Sequence, residues 1–350
     1  IASLGVDIVW LSPFFKSPMA DFGYDIEDYC DVDPLFGDLA DFDRMVAKAH
    51  SLGLKIMIDQ VMSHTAETHK WFVESRASRD NPKSDWYVWA DPLPDGNPPN
   101  NWLSVFGGSS WQWDPRRKQY YMHNFLVSQP QLNFHNPEVQ RAHLAAQRFW
   151  LERGVDGVRL DACVFHFHDR QLRSNPPALV RDTSTVTDVN PYGMQAHIYD
   201  KTQPENIAFL EQLRAQLDEF GAVSIGEISS DDALAQMNEY MAGGNKLHMA
   251  YSFNFLTPVF TAHHIRTQVE DFERRVEEGW ASWSVGNHDA IRVMTRWGGP
   301  QATAGFARMV LAMQLSLKGT PCLYQGDELA LHEAGVPFEL LQDPYGITFW

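Results

Sequence analysis

The chain has 350 residues, 44% of them hydrophobic, enough for a large buried core in two domains or in one α/β barrel with an insertion, and general disorder is excluded. Its 45 acidic and 28 basic residues give a net charge of -17, which repels phosphate backbones and anionic lipid surfaces and argues against nucleic acid or membrane as partners. Cys30, Cys163 and Cys322 lie far apart without a C-x-x-C spacing, and no run approaches the roughly 20 apolar residues of a membrane span, so a reducing cytoplasm is expected.

Seven short apolar runs rich in Val and Ile predict strands: Val6 to Leu11, Lys55 to Asp59, Gly157 to Leu160, Val223 to Gly226, Leu247 to Phe253, Trp280 to Ser284 and Thr320 to Tyr324. Between them, apolar positions three and four apart predict helices over Phe42 to Leu52, Val139 to Leu151, Ile207 to Leu217 and Ala304 to Leu317. Repeated strand and helix imply a parallel sheet. With the first unit opening at Val6, the pattern fits an α/β fold of the (β/α)8 TIM barrel type, truncated before strand 1. A doubly wound sheet is the alternative, but Gly107-Gly108 lacks the strand before and helix after that a phosphate loop requires.

One interval breaks the rhythm. From about Thr65 to about His135 the chain is rich in Pro, Gly, Asn and Trp, as in DPLPDGNPPNNW, which predicts an inserted domain B after strand 3. The expected division is 1–64 for the first part of the barrel (strands 2 and 3), 65–135 for the insertion and 136–350 for the second part (strands 4 to 8). A second long connection, Cys163 to Pro204, follows the fourth strand.

Polar residues close the apolar runs on the side where barrel enzymes place their chemistry: Asp59 and His64, Arg159 and Asp161, Glu227, then Asn287, His288 and Asp289. Buried carboxylates demand partners or a function. Arg159 and Asp161, two apart on a strand, share a face, so the guanidinium can hold the carboxylate ionised. Glu227 follows Val223-Ser224-Ile225-Gly226, where apolar surroundings are expected to raise a carboxyl pKa and suit it to donate a proton. One ionised and one protonated carboxyl make the pair of a retaining glycosidase. The 12 Trp and 21 Phe suit stacking on flat ligands such as sugar rings.

The segments DQVMSH (Asp59 to His64), GVRLDA (Gly157 to Ala162), GEI (Gly226 to Ile228) and VGNHD (Val285 to Asp289) resemble, in content and order, the motif set of the α-amylase family of glycoside hydrolases. GVDIVWLSPFFKSP and GTPCLYQGDE resemble its second-strand and eighth-strand segments, so the resemblance covers nearly the whole chain. It implies Asp161 as nucleophile, Glu227 as general acid/base and Asp289 as the carboxylate that grips sugar hydroxyls towards the transition state, with Arg159, His64 and His288 contacting the nucleophile or the glucose.

DFGYDIEDY is similar to the exo-acting α-glucosidase or oligo-1,6-glucosidase-like branch, where Asp21 and Tyr24 would close the glucose subsite. WLSVFGGSSW and HNFLVSQP resemble its inserted domain and imply Phe106, Phe125 and Gln129 along the pocket. Two departures stand out: Gln131 in QPQLN, where the oligo-1,6-glucosidase subgroup usually reads QPDLN, and Ala162 where relatives acting on α-1,6 bonds tend to carry Val. Together they favour α-1,4 bonds or broad use of small disaccharides. The expected activity is a retaining α-glucosidase on a small-molecule α-glucoside or oligosaccharide. The alternatives are a transglucosylase, a sucrose or trehalose isomerase, and a non-catalytic ectodomain. No cofactor is required. A structural Ca2+ or Mg2+ belongs, in many relatives, to a segment upstream of Ile1, and a β-sandwich is expected beyond Trp350.

Simpler readings hold elsewhere. His166-Phe167-His168 lacks a third ligand, and Cys163 reads as packing rather than a thiol nucleophile. The acidic stretch Asp25 to Asp43 lacks EF-hand spacing and is expected to be a solvated loop plus a helix N-cap.

Overall fold

Strands alternate with helices along the chain, as the apolar runs predict. The computed structural model describes residues 1–181, 186–251 and 253–349. They fall into two units, Ile1–Ser224 with Leu341–Trp350, and Ile225–Leu340.

The first unit opens with β1 (Ile8–Leu11), a short antiparallel pair β2 (Phe15–Lys16) and β3 (Asp28–Val32), then α1 (Leu39–Ser51) and β4 (Lys55–Val61). After α2 (Lys70–Ala77), the strands β5 (Trp89–Ala90), β6 (Trp111–Asp114) and β7 (Gln119–Met122) form a small antiparallel sheet in the order β5-β7-β6. α3 (Pro137–Leu151), β8 (Gly157–Asp161) and α4 (Asn206–Phe220) follow, and β9 (Val223–Glu227) starts in this unit and ends in the other.

β1, β4 and β8 pair in parallel, with Leu11 opposite Ile58, Asp59 opposite Arg159 and Val61 opposite Asp161. All five residues of β8 are buried, as expected for a parallel strand covered on both faces. Gly157 is required at its start, because a Cβ there would come within 2.9 Å of the Val223 carbonyl oxygen. The outer face of this sheet carries an aromatic cluster: Phe15 stacks on Trp150 at 5.0 Å, Phe14 stacks on Phe42 at 5.2 Å, and the Trp150 indole N–H donates to the Tyr29 carbonyl at 2.7 Å.

Three expectations change here. α1 begins at Leu39 rather than Phe42, because Asp38 and Asp41 form a reciprocal capping box ahead of the first apolar position. The acidic stretch is not a solvated loop throughout: it contains β3, and Asp25 and Asp33 are buried. Asp25 accepts from the Ser17 hydroxyl and from the N–H groups of Ala20 and Asp21, while Asp33 accepts from the N–H of Ser17. The stretch from Thr65 to His135, read as an inserted small domain with no elements assigned, holds a helix and a three-stranded sheet around buried Val88, Trp102, Trp111 and Met122.

In the second unit the end of β9 pairs in parallel with β10 (Met249–Tyr251), after α5 (Ala233–Met241). α6 (Ala262–Arg275) leads to β11 (Ser282–Ser284), and α7 (Val293–Arg296) and α8 (Ala304–Ser316) lead to β12 (Thr320–Cys322), which pairs in parallel with β11. A parallel bridge between Ala250 and Ala281 joins the two pairs. β10, β11 and β12 are each shorter than their apolar runs, and Ser252, within one expected strand, lies outside the described residues. α6 escaped the sequence pattern because only Phe272 is buried on it. α9 (Pro344–Thr348) closes the chain within the first unit.

Candidate active site

The C-terminal ends of β4 and β8 bring an Asp-Arg-Asp row together. Arg159, fully buried, directs Nη1 at both oxygens of Asp59 (2.8 and 2.9 Å) and at Oδ1 of Asp161 (2.7 Å). The shared face of Arg159 and Asp161, expected from their spacing, is therefore present. A single guanidinium facing two carboxylates offsets the cost of burying them. Its carbon also lies 5.0 Å from the Trp10 ring and 5.9 Å from that of Tyr24. Asp59 was marked at the end of its apolar run but given no role. Its signal was position, since it pairs with Arg159, two pairs before Asp161 in the ladder.

Around this row stand the other residues proposed for a glucose subsite from this unit. The Tyr24 hydroxyl donates to Asp59 at 3.2 Å. The Gln129 side-chain amide donates to Asp21 at 2.7 Å and lies 3.3 Å from Nε2 of His64. His64 is buried, which lowers its pKa to about 4, so the imidazole is neutral at ordinary pH. Its Nε2 faces the Tyr24 carbonyl at 3.1 Å, an acceptor, so Nε2 carries the proton and Nδ1 accepts from the Ser63 hydroxyl at 2.9 Å. Phe125 stands 5.1 Å from the His64 ring, and Phe106 packs on Phe125 at 5.6 Å.

Loop geometry after β8 is equally specific. Ala162 adopts φ 43°, left-handed and unusual for a residue with a Cβ, and starts a 3-10 turn over Cys163–Phe165. The turn is buried, as are His166 and His168. His166 donates from Nδ1 to the Asn206 side-chain oxygen at 2.9 Å, and burial lowers its pKa to about 4. Among the described residues no group of three or more His, Cys, Asp or Glu side chains could hold a metal ion.

Glu227, His288 and Asp289 belong to the second unit. Glu227 ends β9, is 7% exposed and lies opposite Tyr251, whose carbonyl accepts from the Ile228 N–H at 2.9 Å. Asp289 follows β11 in a turn built by Asn287, whose side-chain oxygen accepts from the N–H groups of Asp289 and Ala290 and whose amide donates to Oδ2 of Asp289 at 3.0 Å. His288 Nε2 is 3.3 Å from Oδ1 of Asp289. Two further residues hold this turn. Arg296 donates to the carbonyls of Val285 and Ile291. Asp327, whose carboxyl burial pushes up, accepts from the Tyr324 N–H and leaves no slack at Gly286, where a Cβ would come 3.2 Å from its Oδ2. Neither was singled out from the sequence; Asp327 lies in the GTPCLYQGDE segment already marked.

Residues 1–345 match the family described as Alpha amylase, catalytic domain. The chain belongs to that family. Its α/β barrel class, with a parallel central sheet, follows with it. The chain is 58% identical over 357 residues to a probable alpha-glucosidase of Rhizobium meliloti (strain 1021), covering all of this chain and 65% of that protein. It is similar to the crystal structure of an alpha-glucosyl transfer enzyme, XgtA, at 62% identity and TM-score 0.98, covering 100% of this chain and 66% of that one. The trehalulose synthase MutB from Pseudomonas mesoacidophila MX-45 matches at 32% identity and TM-score 0.89, over 99% of this chain and 62% of that one. The chain thus spans less than two thirds of each of these relatives. No described helix is long and apolar enough to cross a membrane.

Proposed function

We propose that the protein is a retaining α-glucosidase acting on small α-glucosides, with a preference for α-1,4 bonds. The observation that carries this reading is the buried Asp59-Arg159-Asp161 row ringed by Tyr24, His64 and the Gln129-Asp21 pair, a set that holds the Asp161 carboxylate by a guanidinium beside hydrogen-bonding groups and aromatic walls. Such surroundings suit an uncharged sugar ring.

In this reading Asp161 attacks the anomeric carbon as Glu227 gives its proton to the departing glycosidic oxygen, and a glucosyl ester forms. Water then attacks the same carbon, loses its proton to Glu227 and releases Asp161. The scheme requires the two carboxyl groups to stand about 5 to 5.5 Å apart. Asp289 takes the sugar hydroxyls, with His288 beside it. Residues 65–135 serve as the inserted domain between barrel segments 1–64 and 136–350. The reaction as read needs no cofactor, and the compartment is the cytoplasm.

A second reading has a specific support: the likeness to a glucosyl transfer enzyme. The same ester can pass glucose to an alcohol or sugar, and the outcome depends on how acceptors are held against water. Two measurements test both. Asp161→Asn should abolish glucose release from maltose and from an aryl α-glucoside with thermal stability kept, and full activity in that variant refutes the nucleophile. Product analysis on maltose, isomaltose, sucrose and trehalose, with and without an added alcohol, separates hydrolysis from transfer.

A further inference from the structure

We infer that Gln131 is a positioning residue, whose side-chain amide clamps the turn that follows Asp161 and thereby fixes Ala162 and the Phe165 wall beside the sugar pocket. The inference rests on the proposed reading only in naming that pocket. Gln131 is buried, and its backbone is held from two sides. It bridges His64 in antiparallel fashion, flanked by the bonds Leu132 N–H to Ser63 carbonyl (2.9 Å) and Thr65 N–H to Pro130 carbonyl (3.3 Å). On the other side its N–H donates to the Met122 carbonyl at 2.8 Å, and its carbonyl accepts from Val88 at 3.1 Å. The segment thus sits between the end of β4 and the small antiparallel sheet.

The side chain then reaches a third element. Asn124 donates to Oε1 of Gln131 at 2.9 Å, and Nε2 of Gln131 donates to the Phe165 carbonyl at 2.7 Å. A carbonyl oxygen can face only a donor, so this amide has one orientation. Phe165 ends the turn whose first residue, Ala162, is in the left-handed region, and its N–H closes that turn onto the Ala162 carbonyl at 2.9 Å. Such backbone persists only where the surroundings over-determine it. Asn206 and the Thr202 N–H hold the Cys163 and Val164 carbonyls, and Gln131 adds the constraint at Phe165, where the turn ends. The Phe165 ring lies 5.5 Å from Phe125, which in turn faces His64, so the amide also sets one aromatic wall.

Gln131→Glu tests this in the full-length protein, because it keeps shape and the Asn124 contact while removing the donor. An ionised carboxylate would face the Phe165 carbonyl, whereas a protonated one can donate to it again. Near pH 7.5 we expect kcat/KM on an aryl α-glucoside about tenfold below wild type, and faster hydrogen exchange in a peptide covering 162–168. Towards pH 5 both should return to wild-type values, while Gln131→Met should stay impaired at both pH values. Wild-type exchange in Gln131→Glu near pH 7.5, or an impairment in it that does not change with pH, overturns the inference. Should the wild type fail to cleave α-glucosides, the proposed function falls, but the exchange measurement needs no substrate and still decides the clamp.

Discussion

Arg159→Met gives the sharpest perturbation of the site, since it replaces the buried guanidinium by a side chain of similar length and no charge. Asp59 and Asp161 then lose the guanidinium they share, Asp59 with a fully buried side chain and Asp161 with one only 12% exposed. At an effective dielectric of about 20, a charge pair near 4 Å is worth about 4 kcal/mol. Loss of one partner from a buried pair costs about 3–5 kcal/mol by the same logic, because the other charge stays behind. For 350 residues, an unfolding entropy of about 2.1 cal/mol/K per residue converts this to a fall in Tm of roughly 4–7 °C. The deficit is present when both carboxyls are ionised, so it should narrow as pH falls and they protonate. Asp59→Asn added to Arg159→Met should restore part of the loss. Thermal and denaturant unfolding near pH 7.5 and near pH 4.5 measure all of this. A loss below about 1 kcal/mol, or one that is the same at both pH values, refutes charge compensation as the role of Arg159.

For the acid/base assignment, Glu227→Gln should lose far more activity on maltose, a poor leaving group, than on an activated aryl glucoside; equal losses on both argue against proton donation. Acid stability provides a separate test. His166 is neutral in the folded chain, with its pKa lowered by burial to about 4 against 6.5 unfolded, so the unfolded state binds more protons and stability falls as pH drops from about 6.5 to 4. At about 1.36 kcal/mol per pH, this group accounts for about 3 kcal/mol. His166→Gln keeps a donor for Asn206 without titrating, and should unfold with a smaller pH dependence across that window in denaturant titrations. An unchanged dependence contradicts the assignment.

The parts of the fold legible in the sequence are those where one physical signal repeats over several residues. β4 and β8 were readable because nearly all their residues are buried, which shows as apolar runs; the Arg159-x-Asp161 spacing then fixed a shared face without any knowledge of neighbours. The small sheet stayed hidden because β5 has two residues and β6 and β7 have four each, too short for alternation to show. Contacts between distant segments leave no periodic trace at all. Gln129 meets Asp21 across 108 positions and Gln131 meets Phe165 across 34, so the first came from resemblance alone and the second only from geometry. Resemblance pointed to Gln131 as a departure in a motif, whereas the hydrogen bonds give it a physical task. An aspartate at 131 has no N–H to offer the Phe165 carbonyl, so the change from Asp to Gln exchanges an acceptor for a donor at a buried contact. The turn after the proposed nucleophile is therefore tied, in this chain, to the segment beside the small antiparallel sheet by a bond that a carboxylate could make only when protonated.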